Sequence, residues 1–385
     1  MTFVFATPPR LVCGAGSLET LVSASLALLG QRLFIVTDQG VVACGLLNRL
    51  LEVLKGSDCT WQVYDSVVAD PPESIVLDAA AKAKAFGATG IIGFGGGSPM
   101  DVAKLVALLA MEGSQPLAAI YGVNQITGRR LPLALVPTTA GTGSEVTPVA
   151  IITVGDEEKK GAVSPVLIPD VAILDAALTL GLLPSITAAT GIDAMVHAIE
   201  AYTSASANNN PVSKVLAREA LSLLGASLVT CVEKGADITA REQALLGACL
   251  AGQAFANSPV AAVHALAYPL GARFHLPHGL TNALMLPSVM RFNLPAADEA
   301  YGQLLAHAFP DAAGTPAGRR ATVFIERLEA LIAHVKLPRR LRDVGISEHR
   351  IPGLARDALK QTRLLVNNPR PVTLADAEAI YRQAW

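Results

Sequence analysis

The sequence has few charged and few aromatic residues. Of its 385 residues, 16% are charged and 5% are aromatic, and the formal net charge is -2 at pH 7. Lysines and arginines occur at most in pairs and do not alternate with aromatic residues, so the chain lacks the basic surface by which proteins bind nucleic acids. Hydrophobic residues make up 51% of the chain, which excludes a disordered protein and provides for a large core.

Cysteine is also scarce. The five cysteines are widely spaced and form no Cys-x-x-Cys pair, which argues against a disulfide framework or a zinc knuckle and is typical of buried thiols in a reducing compartment. The first ten residues contain no basic segment followed by a long apolar one, so we expect no secretory signal. Apolar stretches are interrupted by charges or are too short to cross a bilayer. We therefore expect a cytoplasmic protein that binds neither nucleic acid nor a membrane.

The first half of the chain alternates strand-like and helix-like patterns. Because this alternation is typical of a parallel sheet covered by helices on both faces, we expect an α/β domain whose ligand lies beyond the carboxyl ends of the strands. The charged residues 156–161 predict a hairpin turn. The predicted strands are residues 32–38, 60–64, 87–95 and 131–136, and the predicted helices are residues 41–54, 73–86 and 98–111.

A boundary follows at residues 182–184, and the patterns beyond it are almost wholly helical. Thr239 and Glu242 have the spacing of a capping box at the start of one of the predicted helices. Since 385 residues are long for one core, we expect an α/β domain at residues 1–183 and an all-α domain at residues 184–385. The predicted helices of the second domain are residues 185–204, 213–232, 239–256, 297–306, 317–334 and 374–384.

Polar or glycine-rich segments follow three of the predicted strands. Asp38 ends the first strand, where a carboxylate accepts hydrogen bonds from the hydroxyls of an adenosine ribose and repels a 2′-phosphate. Residues 95–97 are glycines that let a diphosphate approach the backbone. Ser98 as N-cap, with Pro99 at the first helical position, is predicted to open a helix whose N-terminus attracts anions. The Thr- and Gly-rich residues 137–145 suit a phosphate or a ribose, and equally an ordinary turn. The standard Gly-x-Gly-x-x-Gly and P-loop fingerprints are both missing.

Asp193 and His197 lie four residues apart in the predicted helix 185–204, so both side chains occupy one helix face. The neighbouring residues are mainly alanine, isoleucine, methionine and valine, which predict that this face is buried. An ionised carboxylate is costly to bury unless it is paired or bound to a cation. Asp193 therefore requires a positive partner.

A second stretch supplies further histidines. Ser258 and Pro259 predict the start of a helix that carries His264, and His278 follows in a turn flanked by proline and glycine. Together with Asp193 and His197, these histidines suit a divalent metal site that keeps an open position for a substrate. The alternative is a paired core acid beside histidines that are satisfied by ordinary hydrogen bonds.

The sequence resembles the iron-containing (group III) alcohol dehydrogenases. The run Ala-Ala-Thr-Gly-Ile-Asp-Ala-Met-Val-His-Ala-Ile-Glu-Ala-Tyr at residues 188–202, and Pro-His-Gly at residues 277–279, are similar to signatures of this family. The resemblance covers essentially the whole chain, up to Asn-Asn-Pro-Arg-Pro at residues 367–371. It implies a catalytic metal, for which the family name favours Fe(II), although this donor set also accepts Zn(II) or Ni(II). The implied ligands are Asp193, His197, His264 and His278.

Both glycine-rich segments match the same family in the same order. In that family, runs similar to Gly-Gly-Gly-Ser-x-x-Asp and Thr-Thr-x-Gly-Thr-Gly-Ser-Glu wrap a nicotinamide dinucleotide, and the acidic residue at position 38 favours NAD over NADP. The family's lysine best matches Lys159, with Lys160 as the alternative. Asp70, where many members have asparagine, is predicted either to cap the next helix or to contact a ligand. The resemblance assigns cofactor contacts to Asp38, Gly96, Gly97, Ser98, Asp101, Thr138, Thr139, Thr142 and Lys159.

The resemblance implies hydride transfer between a nicotinamide and a small alcohol or aldehyde whose oxygen is activated by the metal. Many members have a histidine where this chain has Tyr268, so Tyr268 is the candidate catalytic residue for passing the proton, or else a packing residue. Phe255 either shapes the substrate pocket or packs in the core. The family also implies a homodimer or a larger homo-oligomer. The substrate stays open among propanediol or lactaldehyde, butanol, ethanol and hydroxyacids.

Other functions fit part of the sequence. A lyase similar to dehydroquinate synthase would share the architecture and use NAD, but it needs a basic pocket for phosphate, and residues 268–278 offer only Arg273. Maleylacetate reductases are related but lack these metal ligands. A non-catalytic NAD-binding protein has no use for a metal site. We therefore expect a metal- and NAD-dependent alcohol dehydrogenase or aldehyde reductase.

Overall fold

The computed structural model describes residues 2–155 and 158–385, which form two compact units. One unit is Ala6–Gly181, and the other is Leu182–Trp385 together with the N-terminal residues up to Phe5. This division falls two residues before the boundary expected from the sequence.

The unit Ala6–Gly181 is built on a parallel sheet. Its strands are β1 (Arg10–Cys13), β2 (Arg32–Asp38), β3 (Thr60–Val67), β4 (Gly90–Gly95), β5 (Gly122–Val123), β6 (Leu133–Pro137), β7 (Val149–Val154), β8 (Glu158–Val163) and β9 (Val171–Leu174). Six strands pair in parallel in the order β1, β9, β6, β4, β2, β3. Because β3 and β4 lie on opposite sides of β2, a ligand crevice is expected beyond the carboxyl ends of β2 and β4. The predicted parallel α/β fold is confirmed.

Helices cover both faces of this sheet. Alternate side chains of β2 point to opposite faces, so Phe34 packs with the residues of two helices and Ile35 packs with those of two others. The helices are α1 (Leu21–Leu29), α2 (Gln39–Ala43), α3 (Leu46–Lys55), α4 (Glu73–Phe86) and α5 (Gly97–Leu109). Phe34 belongs to the core with α4 and α5, and Ile35 to the core with α1 and α3. Short 3₁₀ helices lie at Ser17–Thr20, Leu117–Ala119, Ser144–Val146, Pro165–Leu167 and Ala176–Thr179.

The strands β5, β8 and β7 form a separate small sheet. β7 and β8 are antiparallel, with Val149 opposite Val163 and Val154 opposite Glu158. Asp156 and Glu157, the first two residues of the predicted hairpin turn, lie outside the described residues. The remaining residues of that predicted turn belong to β8.

The unit Leu182–Trp385 is helical, and none of its described residues forms a strand. Its central helix is buried from Thr187 to Tyr202 except at Thr190. The predicted all-α second half is therefore confirmed. The helices are α6 (Pro184–Thr203), α7 (Pro211–Glu233), α8 (Ile238–Asn257), α9 (Ala262–Phe274), α10 (His278–Ala308), α11 (Arg320–His334), α12 (Ile351–Ala358), α13 (Thr362–Leu365) and α14 (Leu374–Ala384), with 3₁₀ helices at Pro310–Ala312, Ala317–Arg319, Leu341–Val344 and Glu348–Arg350.

Among the described residues, α7 alone is long and apolar enough to cross a membrane by the criteria of length and composition. The helices α8 and α9 reach the same threshold only if they count as one span, and the chain bends by 106° between them. Within the unit, α7 packs against α6, α8 and α10. A helix in a protein core can meet the same criteria of length and composition as a membrane span.

Two predicted features near the histidines are wrong. Ser258, predicted to open a helix, instead follows the end of α8, and its hydroxyl donates to the carbonyl of Ala201 at 2.7 Å. The helix that carries His264 begins at Ala262 and continues through Pro269. The predicted turn at His278 is the first turn of α10. The local sequence does not reveal either of these helix starts.

Two other predicted helix ends also differ. Asp237, not Thr239, caps α8, because its carboxylate accepts a hydrogen bond from the backbone N–H of Ala240 at 3.0 Å. The single helix predicted at residues 41–54 is divided into α2 and α3. The division occurs at Gly45, whose φ of 74° lies in the left-handed region.

Candidate metal centre and dinucleotide cradle

The four predicted metal ligands converge in the helical unit. Asp193 and His197 lie one turn apart on α6, His264 lies on α9, and His278 begins α10. Asp193 Oδ1 is 3.9 Å from the Nε2 atom of each histidine, and the four donor atoms lie within 4.8 Å of one another. This spacing suits four donors around one cation. The structure therefore brings together all four residues proposed from the sequence.

The position of His278 depends on a close approach between α10 and α6. A Cβ atom on the next residue, Gly279, would lie 2.4 Å from the carbonyl oxygen of Ala189 on α6. Only glycine allows backbones to approach so closely. The Pro-His-Gly sequence thus holds the first turn of α10 against α6 and places His278 beside Asp193.

The electrostatics of this cluster fit a cation. Burial acts to raise the pKa of Asp193, but the charges of His197, His278 and His264 and a hydrogen bond from Asn282 hold the pKa of its carboxyl below the usual value. Asp193 is therefore a buried, ionised carboxylate that requires positive charge nearby. The His278 side chain is 37% exposed, whereas the other three side chains are at most 5% exposed. The donor set is thus open to a substrate on the side of His278.

Glu200 hydrogen-bonds to His264 through the ring nitrogen that does not face Asp193. Glu200 Oε2 accepts a hydrogen bond from His264 Nδ1 at 2.6 Å, and its Oε1 accepts one from the backbone N–H of Val263 at 2.6 Å. Because Nδ1 is the donor, the lone pair of the imidazole lies on Nε2, the atom that faces Asp193. A carboxylate in this position fixes the tautomer and the orientation of a ligating histidine.

Asn282 lies one turn after His278 on α10 and is fully buried. Its Nδ2 donates to Asp193 Oδ1 at 2.5 Å and lies 3.2 Å and 3.3 Å from the Nε2 atoms of His264 and His278. Its Oδ1 accepts no hydrogen bond from the described residues. The amide hydrogens thus lie where the lone pairs of three donors converge, which is the electrostatic environment that a cation requires.

Two aromatic rings flank the histidines. Phe255 stacks on His197 with ring centroids 4.4 Å apart, so it restricts the orientation of that imidazole. The ring of Tyr268 lies 5.8 Å from that of His278, tilted by 52°. Both aromatic residues singled out in the sequence therefore lie against predicted ligands. The part of Phe255 in shaping a substrate pocket stays a prediction.

The residues predicted to contact a dinucleotide gather at the carboxyl ends of β2, β4 and β6. Asp38 ends β2, Gly95 ends β4, and Thr138 follows β6. The backbone N–H of Thr138 donates to the carbonyl of Gly95 at 2.9 Å and so ties the two loops together. Asp38 Oδ1 accepts from the backbone N–H of Val41 at 2.9 Å, while Oδ2 makes no hydrogen bond within the described part of the chain. One oxygen of this carboxylate thus remains available to a ribose.

The glycines of the first loop face the threonines of the second. A Cβ atom on Gly96 would lie 3.6 Å from the side chain of Thr139, and one on Gly97 would lie 3.0 Å from Thr142 Cγ2. The hydroxyls of Thr139 and Thr37 are buried and have no hydrogen-bond partner among the residues described. Buried polar groups normally form hydrogen bonds, so these hydroxyls fit a polar ligand. The two loops, residues 95–98 and 138–142, are called the cradle below.

The N-terminus of α5 opens beside the same loops. This helix begins at Gly97 with Gly96 as its N-cap, and no side chain caps it. Ser98 lies in the first turn, so the predicted N-cap role of Ser98 is wrong. The free backbone N–H groups of the first turn suit the phosphates of a dinucleotide.

Asp101 and Lys104 belong to a buried network on α5. The two carboxylate oxygens of Asp101 accept from Ser144 Oγ at 2.6 Å and from the backbone N–H of Ile151 at 2.9 Å. Lys104 is fully buried and donates to Ser144 Oγ at 2.8 Å and to Thr147 Oγ1 at 3.1 Å. This network ties α5 to the loop after β6. Asp101 thus supports the loop, and its direct contact with a cofactor stays a prediction.

Glu145 follows Ser144 in the same loop and is 2% exposed. Burial raises the pKa of its carboxyl to about 7, against the opposing effects of a backbone hydrogen bond and the charge of Lys104. Burial also lowers the pKa of the Lys104 ammonium, although the charges of Asp101 and Glu145 oppose this change. The loop therefore carries a carboxyl group that titrates near neutral pH.

Lys159 lies on β8 and forms an ion pair with Asp70. The alternative, Lys160, lies 3.4 Å from a carboxylate oxygen of Glu158. The N-cap of α4 is Pro72 without a side-chain cap, so the prediction that Asp70 caps this helix is wrong. The cofactor contact assigned to Lys159 stays a prediction.

Sequence reasoning misses Glu200, Asn282 and Lys104. Glu200 lies seven residues after Asp193, and Asn282 lies four residues after His278, so each continues the helix face of a predicted ligand. Lys104 is the one charged residue in an apolar stretch of α5. These spacings are the signals by which the three residues can be found.

Both halves of the chain match models of one family. Residues 8–176 match the model described as iron-containing alcohol dehydrogenase. Residues 187–385 match the model described as the C-terminal part of the Fe-containing alcohol dehydrogenase family. The two matches together cover most of the chain.

Individual proteins are similar over the full length. Long-chain-alcohol dehydrogenase 1 from Geobacillus thermodenitrificans is 38% identical over 384 residues, which are 98% of this chain and 95% of that protein. A crystal structure of 1,3-propanediol oxidoreductase has a TM-score of 0.95 at 32% identity and full coverage of both chains. The structure of sulfoacetaldehyde reductase from Bifidobacterium kashiwanohense in complex with NAD+ has a TM-score of 0.87 at 27% identity, covering 100% of this chain and 99% of that one. The chain therefore belongs to the iron-containing alcohol dehydrogenase family and is an oxidoreductase that acts on CH–OH groups.

Proposed function

We propose that the protein interconverts small alcohols and aldehydes with NAD and a divalent metal, for which Fe(II) is favoured and Zn(II) is the alternative. The observation that carries this proposal is the convergence of Asp193 Oδ1 and three histidine Nε2 atoms on one point. The family supports a metal at this point, and the NAD+ complex of a related reductase supports the choice of cofactor. Bound to these sites, the cation supplies Lewis acidity toward the substrate oxygen and NAD accepts or donates the hydride.

The protein's own side chains prepare this chemistry. Asp193, His197, His264 and His278 would hold the cation, and Glu200 keeps His264 in the tautomer whose Nε2 lone pair faces Asp193. The exposed edge of His278 leaves a side of the donor set open to the substrate. Apolar neighbours of the buried ligands exclude water, which strengthens each electrostatic interaction within the cluster.

Tyr268 is our candidate for passing the alcohol proton. Its ring lies beside His278, at the accessible edge of the donor set. If the hydroxyl relays the proton, Tyr268→Phe lowers kcat several-fold and alters its pH profile, while KM changes little. Equal pH profiles in the two proteins, with a change in KM alone, would show that Tyr268 only packs against the site.

We infer that NAD is preferred to NADP. The carboxylate of Asp38 at the end of β2 accepts hydrogen bonds from ribose hydroxyls and repels a 2′-phosphate. The other residues proposed to contact the dinucleotide are Gly96, Gly97, Ser98, Asp101, Thr138, Thr139, Thr142 and Lys159. Comparing kcat/KM for NADH and NADPH tests this preference, and Asp38→Asn should narrow the difference between them.

The experiment that tests the function follows NADH absorbance with a panel of short alcohols and aldehydes. The protein is reconstituted with Fe(II) or with Zn(II), and the panel includes propanediol, lactaldehyde, butanol, ethanol and hydroxyacids. We expect turnover that is lost on chelation and restored by adding metal back. NADH binding without turnover of any member of the panel would contradict the proposal.

We also propose that the protein is cytoplasmic and forms a homodimer or a larger homo-oligomer. The lack of a disulfide framework among the cysteines is typical of a reducing compartment, and the family supports the assembly. Light scattering coupled to size-exclusion chromatography tests the assembly. The proposed functional division, a dinucleotide-binding domain at residues 1–183 and a metal-binding domain at residues 184–385, is tested by limited proteolysis of the full chain.

A further inference from the structure

The helical unit contains a second concave site, separate from the metal cluster. It is a cavity open to solvent, bounded by α10, α11, the end of α14 and the segment before the 3₁₀ helix Leu341–Val344. None of the four metal-donor residues lines it. We propose that this cavity binds an organic phosphate monoester. The occupant is defined by the charge, the hydrogen-bond donors and the apolar surface of the walls.

The walls carry an excess of positive charge. Arg291, Arg339 and Arg340 line the cavity, and Glu329 is the single acidic residue among them. Both Nη atoms of Arg291 donate to the Glu329 carboxylate at 2.6 Å, so this pair is internally neutral. The guanidinium groups of Arg339 and Arg340 form no ion pair within the described residues. The residues that line the cavity therefore carry a net formal charge of +2, which suits a phosphate monoester near neutral pH.

Ser288 adds a donor from the floor of the cavity. The residue is 4% exposed overall, and its hydroxyl makes no hydrogen bond to another described residue, so the hydroxyl is accessible from the cavity. A buried hydroxyl in a helix usually donates to a carbonyl one turn earlier, as Ser227 does to Leu223 at 2.7 Å. The free hydroxyl of Ser288 thus faces a cavity that two guanidinium groups border. This combination of arginines and a hydroxyl without another partner is typical of a site for a multivalent oxyanion.

The remaining walls distinguish an organic phosphate from the free ion. Leu284, Pro287, Ile332 and Ala384 contribute apolar surface beside the charged rim. Burying apolar atoms of a ligand on such a surface adds favourable free energy that inorganic phosphate cannot gain. The site therefore favours a phosphate attached to a small apolar body over phosphate alone.

The test is calorimetric titration of the metal-loaded protein with phenyl phosphate. Saturating NADH is present, so the dinucleotide cradle is filled and does not contribute to the signal. Inorganic phosphate and benzoate, at matched ionic strength, separate the contributions of charge and of the apolar body. We expect phenyl phosphate to bind at least ~5-fold more tightly than either, because only this ligand satisfies both the cationic rim and the apolar floor.

Two variants locate the binding site. The double variant R339Q/R340Q should weaken phenyl phosphate binding by ~10-fold or more, and Ser288→Ala by several-fold, because each loses a donor to the phosphate. The control R350Q/R356Q removes the same charge from exposed positions outside the cavity and should bind within about twofold of the unmodified protein.

Three results would overturn the proposal. The first is the absence of any heat of binding with phenyl phosphate. The second is equal weakening in the control and the cavity variants, which would mean that net charge alone attracts the ligand. The third is equal affinity for inorganic and phenyl phosphate. None of these measurements depends on turnover, so they stand apart from the test of the proposed dehydrogenase function.

Discussion

The two candidate sites are built in opposite ways. In the helical unit, the functional atoms belong to side chains from three helices, and Glu200 orients His264 among them. In the α/β unit, the cradle is formed mainly by backbone at the ends of three strands, where Gly96 and Gly97 leave room beside two threonines. The metal cluster depends on the donor atoms of its side chains, whereas the cradle depends on the space left by the absence of side chains at Gly96 and Gly97.

This difference determines how each site can fail. A side-chain site loses function when a donor atom is removed, because no backbone group can replace a carboxylate or an imidazole. A backbone cradle loses function when an atom is added, because a Cβ occupies the space that the ligand needs. The surrounding hydrogen bonds also differ. In the cluster they run from charged groups directly to the ligand side chains, whereas in the cradle a network that includes Asp101 and Lys104 holds the loop after β6.

The largest effect is expected from Asp193→Asn. Removing the buried charge should abolish stoichiometric metal binding and lower kcat/KM by ~10³-fold or more, because Lewis acidity contributes several kcal/mol. Metal analysis and an NADH-linked assay measure the two effects. NADH affinity should not change, since the cradle belongs to the other unit. The control is His349→Gln, which changes an exposed histidine outside the cluster. An active, metal-loaded Asp193→Asn protein would contradict the view that the site depends on its side-chain donors.

The next effect concerns the pH dependence of stability in the α/β unit. The pKa of Glu145 is about 7 in the folded protein against an ordinary value of 4.5, so the unfolded chain releases its proton first as the pH rises. The free energy of unfolding should fall between about pH 4.5 and pH 7 by up to ~3 kcal/mol through this group. Glu145→Gln cannot ionise and should be more stable than the unmodified protein at about pH 8, but not at about pH 4.

Urea denaturation at the two pH values measures this difference. Glu112→Gln, at an exposed position, serves as the control and should leave the pH dependence unchanged. If Glu145→Gln gives the same stability difference at both pH values, the buried carboxyl does not titrate as described.

A smaller effect is expected from Glu200→Gln. The amide can accept one hydrogen bond with its oxygen, but its NH₂ group opposes the second donor, so His264 Nδ1 and the backbone N–H of Val263 are no longer both satisfied. Metal affinity should fall about 10- to 100-fold. Competition with a chelating dye measures this affinity, and the exposed Glu219→Gln is the control. Unchanged affinity would show that the cluster does not depend on support from Glu200.

The smallest effect is expected from Gly97→Ala. The added Cβ would lie 3.0 Å from Thr142 Cγ2, so the second loop must shift and NADH affinity should fall about 10-fold. Fluorescence titration with NADH measures the change, and metal content should stay the same. The control is Gly128→Ala, where a Cβ meets no atom within 4 Å. Loss of metal in Gly97→Ala would contradict the independence of the two sites.

Much of the fold follows from local patterns in the sequence. The predicted strand at residues 32–38 coincides with β2, because a short apolar run ends at a polar residue and is followed by a helical pattern. The alanine, isoleucine and valine residues before and after Asp193 predict the buried central helix of the second unit. Such signals lie within about twenty residues and need no knowledge of distant contacts.

Local sequence patterns mispredict features that involve contacts between residues far apart in the chain. Ser258 and Pro259 have the pattern of a helix start, but the Ser258 hydroxyl bonds to Ala201 on α6 and the helix begins at Ala262. The proline and glycine beside His278 predict a turn, but in the structure His278 is the first residue of a long helix whose next residue, Gly279, lies close to Ala189. Propensity is a weak preference that a tertiary contact readily overrides.

The sequence by itself predicted an α/β half followed by a helical half and the glycine-rich strand ends, because residue type and periodicity encode these features locally. Its resemblance to a known family singled out the four donors that converge in the structure. Only the tertiary structure decided that Glu200 orients His264, that Asn282 lies among the donors and that Asp101 pairs with Ser144 and Ile151. It alone also placed two arginines without an ion pair beside Ser288. Each of these contacts joins residues that are far apart in the chain, and their hydrogen bonds depend on burial and geometry that no local pattern specifies.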